Sequence, residues 1–146
     1  MFKFKGFEAP NVKPMSDQVI LVLTTCPDEA SAQAMAAALV QERLATCVNR
    51  IGGVRSTYLW SKAAEALSTT PSKGAAFAGD WDARLQDEAE ILLIIKTTSG
   101  RLDELRTRLG ALHPYELPEL VAIAVVGGNE RYLDWVRMGV QRKDEG

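Results

Sequence analysis

Three short stretches of this chain are too apolar, and too rich in β-branched residues, to be anything but strands buried on both faces or nearly so. They are Val19-Ile20-Leu21-Val22-Leu23-Thr24, Ile91-Leu92-Leu93-Ile94-Ile95 within the run from Glu90 to Thr97, and Leu120-Val121-Ala122-Ile123-Ala124-Val125-Val126. Two helical patterns separate them. After Thr25-Cys26-Pro27-Asp28, the residues Ala32, Met35, Ala36, Leu39, Val40 and Leu44 recur at i, i+3, i+4, i+7, i+8 and i+12. That stripe predicts a helix of about 16 residues starting at Pro27 or Asp28, with Glu29 near the positive end of its dipole. After the second run, Ser99 is a candidate N-cap for a helix with Leu102, Leu105, Leu109 and Leu112 on its apolar face. Asp103 and Glu104 lie in its first turn, and Pro114 stops it.

Between these units, residues 46–60 read as one long extended segment with a bulge or bend at Gly52-Gly53. Residues 61–80 turn to Ala, Ser, Thr, Pro and Gly and read as an inserted loop with a helical turn near Ala63 to Leu67. Trp81 to Glu88 returns to strand. Asn129 caps a last helix with Tyr132, Trp135 and Val136 expected on its inner face. The order β-α-β-β-α-β-α predicts an α+β fold, the ferredoxin-like split βαβ arrangement with an added C-terminal helix. Right-handed crossovers place both crossing helices on one face of an antiparallel sheet. The strands are nevertheless apolar on both faces, so the second face predicts burial against another subunit.

A chain of 146 residues fits a single domain, expected over 17–141, with a loose arm at 1–16 and a frayed tail at 142–146. Net charge is −2 and the basic residues are scattered, which argues against nucleic acid as a partner. No apolar run approaches the ~20 residues that cross a bilayer, and no secretory core follows the first lysines. Two cysteines, Cys26 and Cys47, without an export signal predict reduced thiols and a cytoplasmic protein.

The stretch His113-Pro114-Tyr115-Glu116-Leu117-Pro118-Glu119 concentrates chemistry at a joint between helix and strand, and it holds the chain's one histidine. Pro114 and Pro118 bias His113 and Leu117 away from the α region, making a stiff connector. Such a connector can hold side chains in fixed directions; it reads equally well as a rigid turn with a capping histidine.

Several motifs together resemble the CutA family of divalent-cation tolerance proteins. They are Thr24-Thr25-Cys26-Pro27-Asp28, Glu42-Arg43-Leu44-Ala45-Thr46-Cys47-Val48-Asn49, Ser56-Thr57-Tyr58-Leu59-Trp60, Glu90 leading into Ile95-Lys96-Thr97, the 113–119 connector, and Asn129 to Trp135 as N-x-x-Y-x-x-W. The resemblance implies a ferredoxin-like homotrimer with packed sheets, a cytosolic location, and a role in tolerance of copper and other divalent ions. It implies His113 and Glu119 as metal ligands with Cys47 as the nearest thiol, a set of soft and borderline donors suited to copper or another divalent cation. The residues by themselves also allow Cys47 as a small buried hydrophobe and Glu119 as an exposed carboxylate. Thr46 stands where the family has alanine. Trp60 has the family tryptophan's left-hand neighbours, and Trp81 has its right-hand spacing to Glu90.

A second candidate cluster is Tyr58, Trp60, Glu90, Lys96 and Tyr115, a possible cleft between subunits for a small anionic ligand. An ion pair between Lys96 and Glu90 of the same or a neighbouring chain is the plainer account, because a charge at the end of a buried strand is costly unless paired. The alternative function is a PII-like trimeric regulatory or scaffold module, with the 61–80 insertion contacting a ligand or protein partner. No P-loop, G-x-S-x-G, Cys-x-x-Cys or H-E-x-x-H is present, so an enzyme is not expected.

Overall fold

A computed structural model describes residues 17–67 and 82–145. The expected arm at 1–16, the greater part of the insertion and Trp81 lie outside the described residues. Four strands, β1 (Val19–Cys26), β2 (Cys47–Trp60), β3 (Arg84–Thr98) and β4 (Val121–Ala124), form one sheet in the order β2-β3-β1-β4. Every neighbouring pair is antiparallel. The helices are α1 (Glu29–Gln41), a short α2 (Lys62–Leu67), α3 (Leu102–Leu112) and α4 (Glu130–Gly139). This is the mixed α+β architecture that the order of elements predicts.

Alternation along β1 decides the layers. Ile20, Val22, Thr24 and Cys26 are buried, and in register opposite them Thr97 and Ile95 are buried, as is Leu93. Ile20, Val22, Cys26, Leu93 and Ile95 form the main core with Ala32, Met35 and Leu39 of α1 and Leu105 and Leu109 of α3. The intervening residues face the other way. There Leu21, Leu23, Leu92 and Ile94 are half-buried, and Val121 and Ile123 are 46% and 43% exposed. The described residues cover only one end of that second face. Val19 packs with Leu133 and Val136 of α4, and Val125 joins them.

The termini of the helices follow their local chemistry. Asp28 caps α1 by accepting from the Ser31 N–H at 2.7 Å. Arg43 takes φ 57 just past the helix, a position that glycine usually fills. That turn ends α1 after 13 residues, short of the predicted length. Leu44 is still buried, but by the reversed chain and not by the helix, and Val40 is 39% exposed. Ser99 is not the cap of α3: Ser99–Arg101 form a 3-10 turn that leads into it, and the helix has no side-chain cap. Asn129 does cap α4, accepting from the Arg131 and Tyr132 N–H groups. On the inner face of α4 Val136 is buried as expected, but its buried companion is Leu133, while Tyr132 and Trp135 are 41% and 47% exposed.

The two strand segments expected at 81–88 and 90–97 are one 15-residue strand, β3. Its outer half, Arg84–Glu90, pairs only with Val54–Trp60 and projects beyond β1 as a two-stranded ribbon. The register slips between Ile51 and Val54, where Gly53 has φ 79. The predicted bulge or bend is therefore a bulge, made possible by a residue without a Cβ. The tail is ordered at 143–145 as a 3-10 turn, and Arg142 reaches Glu104.

Candidate functional site

The connector after α3 folds back onto the end of β1 through its histidine. The His113 N–H closes the helix on the Leu109 carbonyl, and the ring turns inward to 8% exposure. Its Nε2 lies 2.9 Å from the Thr25 carbonyl oxygen, and its Nδ1 lies 3.0 Å from the Tyr115 backbone nitrogen. A carbonyl only accepts and a peptide N–H only donates. The ring therefore carries its proton on Nε2 and offers its lone pair at Nδ1 to Tyr115. Burial holds the His113 pKa below the ordinary histidine range, against smaller opposing effects from the Thr25 carbonyl and Glu90. Cys26 Sγ sits 3.9 Å from Nε2. Burial first, then Asp28 and Glu90, pushes that thiol up to about 11.

Tyr115 carries the site outward. Its ring lies 5.0 Å from the histidine ring, and its hydroxyl donates to Glu90 Oε2 at 3.0 Å. Glu90 is 7% exposed at the base of the ribbon. Tyr58, two residues short of Trp60 and so on the same face of β2, donates to Glu88 Oε2 at 2.9 Å. The phenols of Tyr58 and Tyr115 are both held above the ordinary range, the first chiefly by its carboxylate partner and the second chiefly by burial. A cavity of about 640 Å³ opens between ribbon and connector. Its walls are Thr25, Tyr58, Trp60, Glu65, Gln86, Glu88, Glu90, Pro114, Tyr115, Glu116, Leu117 and Glu119. Five of these are carboxylates and, among the described residues, none of the lining is Lys or Arg, so the interior is strongly electronegative.

The expected site residues divide accordingly. Tyr58, Trp60, Glu90, Tyr115 and Glu119 gather around this cavity, and His113 stands behind its Tyr115 wall. Lys96 does not join them. It lies six residues along β3 from Glu90, donates to the Tyr132 hydroxyl at 3.0 Å and sits 5.5 Å from that ring's centre. Within one chain the expected Lys96–Glu90 pair does not form, and Lys96–Tyr132 and Tyr115–Glu90 stand in its place; without this chain's Lys96 the cavity suits a cation better than an anion. Cys47 is also separate within the chain. It pairs with Lys96 while Cys26, beside His113, pairs with Ile91, which places the two thiols about 17 Å apart along the sheet. Among the described residues no three His, Cys, Asp or Glu side chains converge to hold a metal ion.

Glu88, Glu65 and Cys26 joined the site without having been singled out for it. The i, i+2 spacing of Glu88 and Glu90 is a usable signal, since it puts both on one strand face. Nothing local pairs Cys26 with His113, 87 residues away.

Comparison with known proteins places these features in context. The sequence model of the family described as CutA1 divalent ion tolerance protein matches residues 20–70 and 78–138, a match that breaks inside the predicted insertion. The divalent-cation tolerance protein CutA of Thermus thermophilus is 38% identical over 117 residues, covering 80% of this chain and 93% of that protein. The human protein CutA is 34% identical over 119 residues, covering 82% of this chain, which spans 55% of the human protein's length. Among solved structures, CutA1 of Oryza sativa superposes with a TM-score of 0.70 at 31% identity, covering 89% of this chain and all of that one. CutA of Xylella fastidiosa does so with a TM-score of 0.68 at 36% identity, covering 85% and 99%.

Proposed function

This chain belongs to the CutA1 divalent ion tolerance protein family, and from that premise we propose that it is a homotrimeric protein of metal-ion homeostasis that binds copper or another divalent cation. The cavity beside the 113–119 connector is where the cation is drawn in. The observation that carries this reading is the cavity wall itself, with Glu65, Glu88, Glu90, Glu116 and Glu119 and no basic side chain among the described residues that line it. Walls of one sign around a concave, partly dry space concentrate the opposite charge.

The set His113, Glu119 and Cys47 does not fit a copper ion within one chain. Both nitrogens of His113 are engaged by backbone, and Cys47 is remote. Carboxylate and phenol oxygens remain, donors of harder character than thiolate and imidazole. The half-bare apolar face of the sheet, which adjoins the ribbon that carries the cavity, supports the self-association in this reading. Two free cysteines fit a reducing compartment such as the cytoplasm.

Calorimetry with copper(II) on the reduced full chain tests the reading, alongside mass in solution. Saturable uptake that weakens at least about tenfold in Glu88→Gln/Glu119→Gln, while a trimeric mass persists, is the expected result. Uptake indifferent to both substitutions would remove the cavity from the account. A regulatory, PII-like role is the second reading. It is favoured by Glu65, since α2 belongs to the insertion and yet lines the same cavity. Deleting 61–80 should then abolish partner or effector binding and leave the trimer intact.

A further inference from the structure

The chain's one histidine is the residue that its chemistry marks first as a metal ligand, and its geometry argues for a different task. A ligand nitrogen needs a lone pair directed at the metal. In the neutral ring only one nitrogen has such a lone pair, and here it is Nδ1, which accepts the Tyr115 N–H at 3.0 Å. The other nitrogen carries the proton and donates to the Thr25 carbonyl at 2.9 Å. The ring is buried, and His113 is absent from the cavity wall, whereas Tyr115 and Thr25 both belong to it.

We propose that His113 is a positioning residue of the cavity and not one of its ligands: it ties the end of β1 to the connector and thereby aims Tyr115 at Glu90. The proposal rests on the reading of this cavity as the cation site and deepens it. The linkage runs in one direction through named bonds. Thr25 fixes the ring, the ring fixes the Tyr115 backbone, and the Tyr115 hydroxyl at 3.0 Å fixes Glu90. Glu90 has one carboxylate oxygen in that bond and its second oxygen left to serve the cavity. Outer groups that orient ligands in this way typically change metal affinity 10–100-fold when removed, without touching the metal.

Because the chain has a single histidine, nitrogen-15 NMR of the labelled full-length protein reports on that ring alone. The expected spectrum shows one tautomer, protonated at Nε2, and it keeps that tautomer when zinc(II) is added to saturation. A proton on Nδ1, or a ring nitrogen that acquires a coordination shift with zinc, overturns the proposal. Two variants supply the second arm. His113→Asn retains a side-chain acceptor for the N–H two residues on, and His113→Ala does not. Zinc affinity should fall about tenfold in His113→Ala, with displaced Tyr115 ring resonances, and recover to within about threefold in His113→Asn. Equal loss in both variants with the Tyr115 resonances unmoved is the signature of a ligand and overturns the proposal. If the unaltered protein takes up no zinc, the cation reading fails alone, and the tautomer with the Tyr115 resonances still decides the positioning role. Should His113→Ala fail to fold, the tautomer in the unaltered chain decides it.

Discussion

Burial sets the chemistry of two side chains, Cys26 and His113, of types that ordinarily respond to pH nearest neutrality. Cys26 is fully buried with its thiol pushed up to about 11, so it is neutral and unreactive at pH 7. His113 is moved the other way, toward the neutral ring that its two hydrogen bonds require. The sign of the stability effect follows. Unfolded, the histidine titrates near its ordinary value of about 6.5. Folded, it titrates lower, so the unfolded chain binds more protons as pH falls through that value, and stability is lost toward acid. Glu90 and the Thr25 carbonyl oppose part of the shift, and burial outweighs them. Urea denaturation at pH 7.5 and 5.5 should show a loss of stability in the unaltered chain that is smaller in His113→Asn; an equal loss in both would exclude the histidine as its origin. A further side-chain effect lies at Gly139. A Cβ there would overlap the Thr46 side chain, whose hydroxyl donates to the Val136 carbonyl. Gly139→Ala should cost about 1–3 kcal/mol in denaturant melts, as overpacking does. Thr46→Ala in the same chain should relieve part of that cost, because alanine removes Oγ1 and Cγ2 but keeps the Thr46 Cβ, 2.8 Å from the added carbon.

At the level of elements, periodicity was legible and polarity of face was not always so. The stripe Ala32, Met35, Ala36 and Leu39 is buried as the 3.6-residue period requires. The N-terminus of α1 was equally plain, and Asp28→Ala should cost about 1 kcal/mol of stability in a urea titration. The face of α4 was partly misjudged because hydropathy treats Tyr132 and Trp135 as core candidates. In the fold they stack on one another at 5.5 Å beside Lys96, while the smaller Leu133 and Val136 reach the sheet. The bulge in β2 was legible from its glycines. Its backbone sits at φ 79, a conformation costing a Cβ-bearing residue roughly 1–2 kcal/mol. Gly53→Val should destabilise by about that amount and, if the ribbon re-registers, broaden the ribbon's NMR signals.

For the whole molecule, the consequential fact is an antiparallel sheet with helices α1 and α3 on one face and, among the described residues, only α4 on part of the other. Leu21, Leu23, Leu92, Ile94, Val121 and Ile123 then present a continuous apolar surface, in register across three strands. Such a surface is characteristic of an interface between subunits. Ile123→Glu should lower the sedimentation mass while leaving the far-ultraviolet circular dichroism intact. A mass unaffected by this charge would mean that assembly does not use this face.

By itself the sequence determined the elements and their order. Helical and strand periods are local, and so are caps, proline stops and glycine bends, each decided within a few residues of chain. The same local reasoning identified the connector and its histidine as the chemical centre of interest. Only the tertiary structure decided the partners. Sheet register separates Cys47 from His113 and brings in Cys26, takes Lys96 away to Tyr132, and gathers carboxylates from β2–β3, α2 and the connector around one cavity. Those pairings depend on which strand lies beside which and in what register. That is a competition among distant segments for burial and hydrogen bonds, and no window of sequence contains it.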